Sequence, residues 1–384
     1  MLLGIIVGLV VLVLLVAVHE FGHGVAARRN GVVVEEFGIG FPPKAWGKKI
    51  KKSVLGKNVL YTLNWLPLGG FVKLQGEHDS ASKKGDYGAA SYWVKTKILL
   101  AGVMMNWLVA IVLLAIISFV GMPKIIEGQF TVPGDTQSIS HPLMIANVVE
   151  GSAADKAGLK SGDKLLMIQD QRFESSKKLS DYTALHAGNT VDITYESDGV
   201  EKTTKANLAS AKDSKKGILG VSTVERSELK STWSAPIVGV GTTLQFTWVT
   251  LEGTAKLAWG ALSGFIQSIS FDDTIREKGG KELEVVGQSV AGPVGILGVI
   301  FPQASEAGIK QLLFLSAIIS LSLAVINTLP IPALDGGRWL LMTIYKIRKK
   351  PLTKEREEQL QTIGFLVLMG LVVLVTWADI GKFK

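Results

Sequence analysis

An apolar run opens the chain and carries three ionisable side chains. Residues 1–27 contain no lysine or arginine, so they lack the basic start of a cleaved signal peptide. Residues 2–25 are long enough to cross a bilayer as a helix that stays in the protein. His19, Glu20 and His23 lie within this run. Ionisable groups inside a membrane helix are costly and usually mark a functional site. The run therefore predicts a transmembrane helix built around a reactive site.

The spacing of the two histidines favours a metal site over a chance match to His-Glu-x-x-His. His19 and His23 lie four residues apart, so on a helix both imidazoles face the same side and can bind one zinc ion. Glu20 lies beside them and can take a proton from a water at the metal. Zinc needs a third protein ligand. The candidate is Asp335, at the end of another apolar run, because the chain has no cysteine.

The segment that carries Asp335 is broken by two prolines and two glycines within residues 330–337. Broken backbone at membrane depth is tolerated only where it is buried in protein or lines a watery cavity. An alternative is a simple helix-end ion pair between Asp335 and Arg338. The broken backbone favours the metal-ligand interpretation.

Composition and charge indicate a membrane protein with a modest soluble part. The chain is 47% hydrophobic and its net charge is +8. From Arg28 to Lys97 there are thirteen Lys and Arg against five Asp and Glu, and residues 338–360 are again basic. The positive-inside rule places both stretches in the cytoplasm and both chain termini outside. The charge thus indicates topology, and no nucleic-acid-binding motif accompanies it.

The apolar runs predict a polytopic α-helical membrane protein with about four transmembrane helices. These helices are residues 1–27, 98–121, 309–345 (with the break before Asp335) and 361–380. Inside the second span, Gly102 is interpreted as a close helix-packing position. Asn106 either forms a hydrogen bond between helices or helps to orient the reactive site.

Two regions between the spans lie at the membrane surface. In residues 28–97, short β-prone runs punctuated by Gly and Pro predict a small membrane-associated sheet, followed by a polar, mobile loop at 79–95. Its edge either holds an unwound peptide strand or belongs to an ordinary interfacial hairpin. Residues 229–308 are interpreted as an interfacial amphipathic helix at 234–270, rather than a fifth span, and a linker. In that linker we expect a loop at 272–284 and a helix breaker at 291–296.

Residues 125–228 predict one extracytoplasmic α+β domain of normal size. Strands are expected at 146–149, 164–168 and 190–195, with helices at 152–159 and 177–187. The Gly-Ser-Ala-Ala-x-x-Ala-Gly-Leu-x-x-Gly-Asp run at 151–163 resembles a PDZ domain of the bacterial, circularly permuted kind. So does a second run, which consists of Gly217, Ile218, Leu219, Gly220 and Val221. Its backbone N–H groups would receive a peptide carboxylate, although a structural module without a ligand is an equal alternative.

Taken together, the motifs resemble the site-2 protease family of intramembrane zinc metalloproteases, and most closely the bacterial members that cleave anti-sigma factors. They are His19-Glu20-Phe21-Gly22-His23, Pro67-Leu68-Gly69-Gly70-Phe71-Val72-Lys73, one PDZ-like domain, and Asn-x-x-Pro-x-x-x-Leu-Asp-Gly-Gly at 327–337. The resemblance implies that His19, His23 and Asp335 hold one zinc ion per chain and that Glu20 activates water. It also implies that Asn327 and the segment Gly69–Lys73 contact substrate.

The same resemblance implies a location and a substrate class. The chain would be a multi-pass protein of the bacterial plasma (inner) membrane. It would cleave single-span membrane proteins already cut by another protease, such as anti-sigma factors and remnant signal peptides. The PDZ-like domain would face outside and limit access to trimmed substrates. A membrane-anchored scaffold protein with a vestigial metal site is the main alternative, and a transporter is a weaker one.

Overall fold

The computed structural model describes residues 1–210 and 217–382, apart from the side chains of Leu68 and Lys382. The chain forms two compact units. The helical unit comprises Met1–Ile117 and Pro236–Lys384, and the inserted unit comprises Ser118–Ala235. The main helices are α1 (Leu2–Arg29), α2 (Tyr92–Val120), α5 (Ala235–Ser268), α6 (Asp273–Ser289), α9 (Ile309–Thr328), α10 (Asp335–Ile347) and α11 (Lys354–Lys382).

Within the part of the chain that the structure describes, five helical segments are long and apolar enough to cross a membrane, judged by length and composition alone. They are Leu2–Arg29, Tyr92–Val120, Asp273–Glu306, Ile309–Thr328 and Lys354–Gly381. Four of them coincide with the predicted spans, and Asp273–Glu306 is additional. The long helix α5 is not among the five, so the interfacial placement of 234–270 stays a prediction.

The predicted loop at 272–284 is wrong, because this segment lies in helix α6. The Asp272 side chain caps the helix by accepting hydrogen bonds from the N–H groups of Thr274 and Ile275. Glu277 and Lys281 form an i,i+4 ion pair at 2.6 Å on its surface. The charges that suggested a loop therefore stabilise an exposed helix face. A short break at residues 290–292 then precedes α7 (Pro293–Gly295), a π-helical turn (Ile296–Ile300) and α8 (Phe301–Glu306). The predicted breaker at 291–296 is therefore present only in its first two residues, and the rest of it is helical.

The predicted small sheet is present as a long, bent hairpin of β1 (Val34–Ile50) and β2 (Val59–Leu74). The middle of β1, residues 36–39, pairs with 60–63 on one side and with 70–73 on the other. Residues 70–74 are therefore an edge strand. Apolar side chains such as Phe37, Leu55 and Val59 are buried between the hairpin and α1.

The hairpin runs along the C-terminal half of α1. The backbone of Gly70 approaches Ala17, Leu55 approaches Gly24, and Arg28 donates hydrogen bonds to the carbonyl groups of Ser53 and Val54. The turn near Gly69 thus lies deepest along the helix. Its side chains Phe41, Trp65 and Leu66 are exposed and apolar. An exposed apolar tip of this kind is typical of a surface that contacts a membrane or another protein.

The segment at 79–95 differs from the predicted mobile loop. Tyr87 and Asp86 are buried. The Asp86 carboxylate accepts hydrogen bonds from Gln75 Nε2 and from the Lys83 N–H, both at 2.8 Å. Helix α2 also begins within the segment, at Tyr92. Its polar residues therefore satisfy one another in a defined arrangement.

The described residues of the inserted unit form a five-stranded antiparallel sheet in the order β8-β7-β6-β5-β9 and two helices. These elements are β5 (Leu143–Val148), α3 (Ala153–Lys156), β6 (Lys164–Ile168), α4 (Ser176–Leu185), β7 (Thr190–Ser197), β8 (Val200–Asn207) and β9 (Val221–Val224). They agree with the predicted strands and helices because alternating apolar residues face one core. The sequence did not predict the three-stranded sheet of β3 (Met122–Pro123), β10 (Ser227–Lys230) and β4 (Gln137–Ser140).

Candidate metal centre and its surroundings

The two histidines of α1 are buried against α2. Gly102 of α2 faces them, and a methyl group there would lie 2.7 Å from His19 Nε2 and nearer still to His23 Nε2. Gly22 of α1 faces the Ala101 carbonyl in the same way. Small residues on both helices therefore leave room for the imidazoles. The sequence placed Gly102 correctly at a close contact, but it did not identify the histidines as the contacting groups.

Asp335 reaches the histidines because the chain turns back sharply after α9. The polypeptide leaves α9 at Thr328 and starts α10 at Asp335. A side chain at Gly336 would meet the backbone of Thr328, and one at Gly337 would meet the backbone of Ile331. Both positions therefore need glycine. The Leu-Asp-Gly-Gly motif thus allows a tight return that brings the carboxylate to helix α1.

The three side chains converge at nearly equal distances. His19 Nε2 lies 3.1 Å from Asp335 Oδ2 and 3.1 Å from His23 Nε2, and His23 Nε2 lies 3.3 Å from the same carboxylate oxygen. Tetrahedral zinc with bonds of about 2.0–2.2 Å separates its ligand atoms by about 3.3–3.5 Å. The donor set and its spacing therefore fit one zinc ion with small adjustments.

Hydrogen bonds to the outer nitrogens orient both imidazoles. His23 Nδ1 lies 2.7 Å from the Ile98 carbonyl, to which it donates. The side-chain nitrogen Nδ2 of Asn106 lies 3.3 Å from His19 Nδ1. The buried Oδ1 of the same amide has no hydrogen-bond partner among the described residues. With the amide turned over, Oδ1 accepts from His19 Nδ1–H and leaves Nε2 free for a metal. Both contacts suit metal-binding histidines.

Glu20 lies next to this cluster and contacts the edge strand. The Val72 N–H donates a hydrogen bond of 3.1 Å to Glu20 Oε2. The predicted substrate segment Gly69–Lys73 thus runs beside the predicted catalytic carboxylate. Lys73 lies further out, where it pairs with Glu35 at 3.3 Å.

Asn327, the remaining predicted substrate residue, is half-buried in the last turn of α9. Among the contacts of the described residues, none joins its side chain to the histidines or to Asp335. Its proximity to the chain break is compatible with a role toward substrate. That role stays a prediction.

The proposed ion pair between Asp335 and Arg338 is wrong. Arg338 turns the other way, toward Glu77 (3.4 Å) and Glu357 (3.2 Å), and its guanidinium lies 4.6 Å from the centre of the Tyr87 ring. Burial raises the pKa of the Tyr87 phenol well above its usual range, so this ring stays neutral. The Asp335 carboxylate is therefore left to the histidines.

A polar cavity of about 580 Å³ is lined in part by Asp335. Its walls include Lys73, Glu77, Arg338 and Glu357. Water can therefore approach the cluster through a charged passage, although the surrounding helices are apolar.

The predicted peptide loop at 217–221 lies in the inserted unit. Its carbonyl groups accept hydrogen bonds from Val149, Ala154 and Ala209. The strand that follows, β9, lies at the sheet edge. The first turn of α4 is bonded to it: Ser176 Oγ lies 2.8 Å from Thr223 Oγ1, and the Ser176 N–H donates to Glu225 at 2.7 Å. A peptide at this edge would have to coexist with these bonds, so its binding stays a prediction.

A helix of membrane length that carries His-Glu-x-x-His, with a distant aspartate at the same point, defines the zinc metalloprotease class. The chain matches peptidase family M50 over residues 7–371 and belongs to that family, the site-2 proteases. It is a zinc metalloprotease and a multi-pass membrane protein. The resemblance drawn from the motifs is thereby confirmed.

Related proteins align over nearly their whole length. A predicted zinc metalloprotease of Clostridium perfringens is 31% identical, with 95% of each chain covered. The zinc metalloprotease RasP of Geobacillus kaustophilus is 27% identical, and the regulator of sigma-W protease RasP of Bacillus subtilis is 25% identical; each alignment covers 96% of both chains. Among solved structures, the PDZ domain of an SdrC-like protein from Listeria monocytogenes is 24% identical over 25% of this chain, with a TM-score of 0.20.

Proposed function

We propose that this protein is an intramembrane endopeptidase that hydrolyses peptide bonds within the transmembrane segments of single-span membrane proteins. His19, His23 and Asp335 hold one zinc ion per chain, and Glu20 is the general base. The observation that carries the proposal is the spacing of the three donor atoms, 3.1–3.3 Å, beside Glu20 in helices of membrane length.

The chain's own groups divide the chemistry between them. Zinc, when bound, supplies Lewis acidity for the scissile carbonyl and makes water more acidic. Glu20 removes a proton from the attacking water and returns it to the leaving amine. The Val72 N–H, 3.1 Å from Glu20 Oε2, orients this carboxylate. The Ile98 carbonyl fixes His23, and the Asn106 amide fixes His19.

The edge strand at 70–74 gives the enzyme a means of holding an extended substrate. A transmembrane helix hides its amide groups in its own hydrogen bonds, so a substrate must unwind before attack. Pairing with the outer edge of residues 70–74 would replace the lost backbone bonds. Residue Asn327 would contact the substrate near the break. Helix-breaking residues in the substrate should therefore speed cleavage.

The relatives suggest where such substrates come from. The Bacillus subtilis relative is named a regulator of sigma-W, so we propose anti-sigma factors as one substrate group. Remnant signal peptides are a second group. In both cases another protease would cut first, and the PDZ-like unit would select the trimmed product. That unit and both termini would then lie outside a bacterial plasma membrane, with residues 28–97 and 338–360 in the cytoplasm.

The decisive experiment measures zinc content and cleavage together on purified protein in detergent. Wild type should hold about one zinc ion and cut a model single-span substrate. Glu20→Gln should keep zinc but lose at least about 10²-fold in rate, since general acid–base catalysis contributes 10²–10⁴-fold. Asp335→Ala should lose zinc. Glu252→Gln, an exposed carboxylate of α5 paired with Lys256, is the matched control and should behave as wild type.

Two outcomes would contradict the proposal. Wild type that contains no zinc would refute the assignment of His19, His23 and Asp335 as ligands. A Glu20→Gln variant that still cleaves the substrate would refute the assignment of Glu20 as the general base. Full biological activity of Glu20→Gln would favour the scaffold alternative, in which the PDZ-like unit is the working part.

A further inference from the structure

A second polar cavity, of about 570 Å³, lies away from the metal centre. It is enclosed by the first turn of α2, the C-terminal half of α10 and the start of α11. Four lysines line it, against the two carboxylates of Asp79 and Glu355; the lysines are Lys95, Lys346, Lys350 and Lys354. We propose that this cavity binds the phosphate headgroup of an anionic phospholipid.

The lysines differ in how far the protein already neutralises them. Lys95 is buried and pairs with Asp79 at 2.5 Å, and Lys354 lies 3.8 Å from Glu358. The Lys346 ammonium lies 3.7 Å from the centre of the Tyr92 ring. Among the described residues, Lys346 and Lys350 form no ion pair. Two ammonium groups in one concave site are therefore available to an anion.

The position of the cavity favours a lipid over a free phosphate. Helices α2 and α11, both apolar enough to span, begin at its rim. Trp93, next to Tyr92, is 68% exposed, as expected for a tryptophan at headgroup level. Phe365, Leu366 and Val373 are exposed on the face of α11 that presents Lys354 and Glu355 to the cavity. A headgroup in the cavity would thus place its acyl chains along an apolar helix surface.

The cavity is separate from the catalytic machinery. Lys346 follows Asp335 by eleven residues on α10, a distance of about 16 Å along a helix. Basic pockets between membrane helices on the cytoplasmic side are a known means of binding anionic headgroups. The inferred topology places this cavity on that side.

The test measures the thermal unfolding midpoint of the detergent-purified full chain during titration with short-chain phosphatidylglycerol, phosphatidylcholine or inorganic phosphate. Of the three compounds, only phosphatidylglycerol should raise the thermal unfolding midpoint of the wild type. In Lys346→Gln/Lys350→Gln its half-saturating concentration should rise at least about tenfold. Lys346→Arg/Lys350→Arg should retain the effect. Lys48→Gln/Lys52→Gln, on the exposed arm of the hairpin, makes the same charge change outside the cavity and should respond as wild type.

Three results would overturn the inference. An equal response to inorganic phosphate would make this a free-phosphate site. An unchanged response of Lys346→Gln/Lys350→Gln would remove the cavity from the binding. Loss of the response in Lys48→Gln/Lys52→Gln as well would show that the lipid responds to the overall positive charge of the protein and not to this cavity. Zinc content, expected to be unchanged in all variants, shows that each has folded.

Discussion

Helix α10 carries two charged side chains one turn apart, and they meet opposite surroundings. Arg338 finds the carboxylates of Glu77 and Glu357 and the face of Tyr87. Among the described residues, the Asp335 carboxylate pairs with the imidazole nitrogens of His19 and His23. The first cluster supplies its own counter-charges and is complete as a structural element. The second brings three electron-pair donors to one point, an arrangement that suits a bound cation such as zinc.

Gly102→Ala should have the largest effect, because it should abolish the metal centre and leave the Arg338 cluster unchanged. The added methyl group would lie 2.7 Å from His19 Nε2 and would fill the space between the imidazoles and α2. We expect loss of bound zinc and of measurable cleavage, while the Arg338 cluster keeps the fold intact. Metal analysis of the purified variant checks this. Gly370→Ala, on α11 with open space around it, is the control and should keep both properties. Full zinc occupancy in Gly102→Ala would refute the assigned donor geometry.

Arg338→Met should have the opposite effect: it should lower the free energy of unfolding and leave zinc binding nearly unchanged. It leaves Glu357, which is buried, without its cation. Breaking a buried pair costs about 3–5 kcal/mol, and because the Arg338 side chain is 22% exposed we expect about 2–3 kcal/mol. Equilibrium unfolding in detergent measures this. Adding Glu357→Gln should recover part of the loss.

The control for this change is Arg276→Met, which removes an exposed pair with Asp273 and should cost less than about 1 kcal/mol. An Arg338→Met variant as stable as wild type would mean that the cluster contributes nothing. One that lost zinc before it unfolded would mean that the two clusters are a single unit.

What the sequence could predict follows from the range of the interactions. The His19–His23 spacing and the strand at 164–168 depend on local periodicity, and the structure agrees with both. The charges of α6 suggested a loop. The segment is a helix because capping by Asp272 stabilises it more than its average polarity disfavours it. The Arg338 cluster joins residues more than two hundred positions apart, so no local pattern could indicate it.

Asn106→Ala should have a smaller effect, confined to the metal centre. Loss of an outer hydrogen bond to a metal-binding histidine typically weakens metal affinity by 10–100-fold. We expect that decrease in competition with a chelator, with little change in unfolding temperature. Thr96→Val is the control, because Thr96 is buried in the same helix and its hydroxyl forms no hydrogen bond among the described residues. Unchanged zinc affinity in Asn106→Ala would limit Asn106 to helix packing.

Asp135, in the inserted unit, is a half-buried carboxylate whose hydrogen-bond partners are neutral, unlike those of Asp335 and Arg338. Hydrogen bonds from Ser234 and Thr232 lower its pKa from 3.8 to about 2. A lowered pKa in the folded state means that stability is present above about pH 4 and is lost as the pH falls toward 2. Wild type should therefore unfold at a higher temperature than Asp135→Asn at pH 6, and this gap should narrow at pH values near 2. Asp170→Asn, an exposed carboxylate of the same unit, controls for the loss of one charge. A gap that does not change with pH would show that the ionised carboxylate contributes nothing, and that neutral hydrogen bonding alone holds this segment.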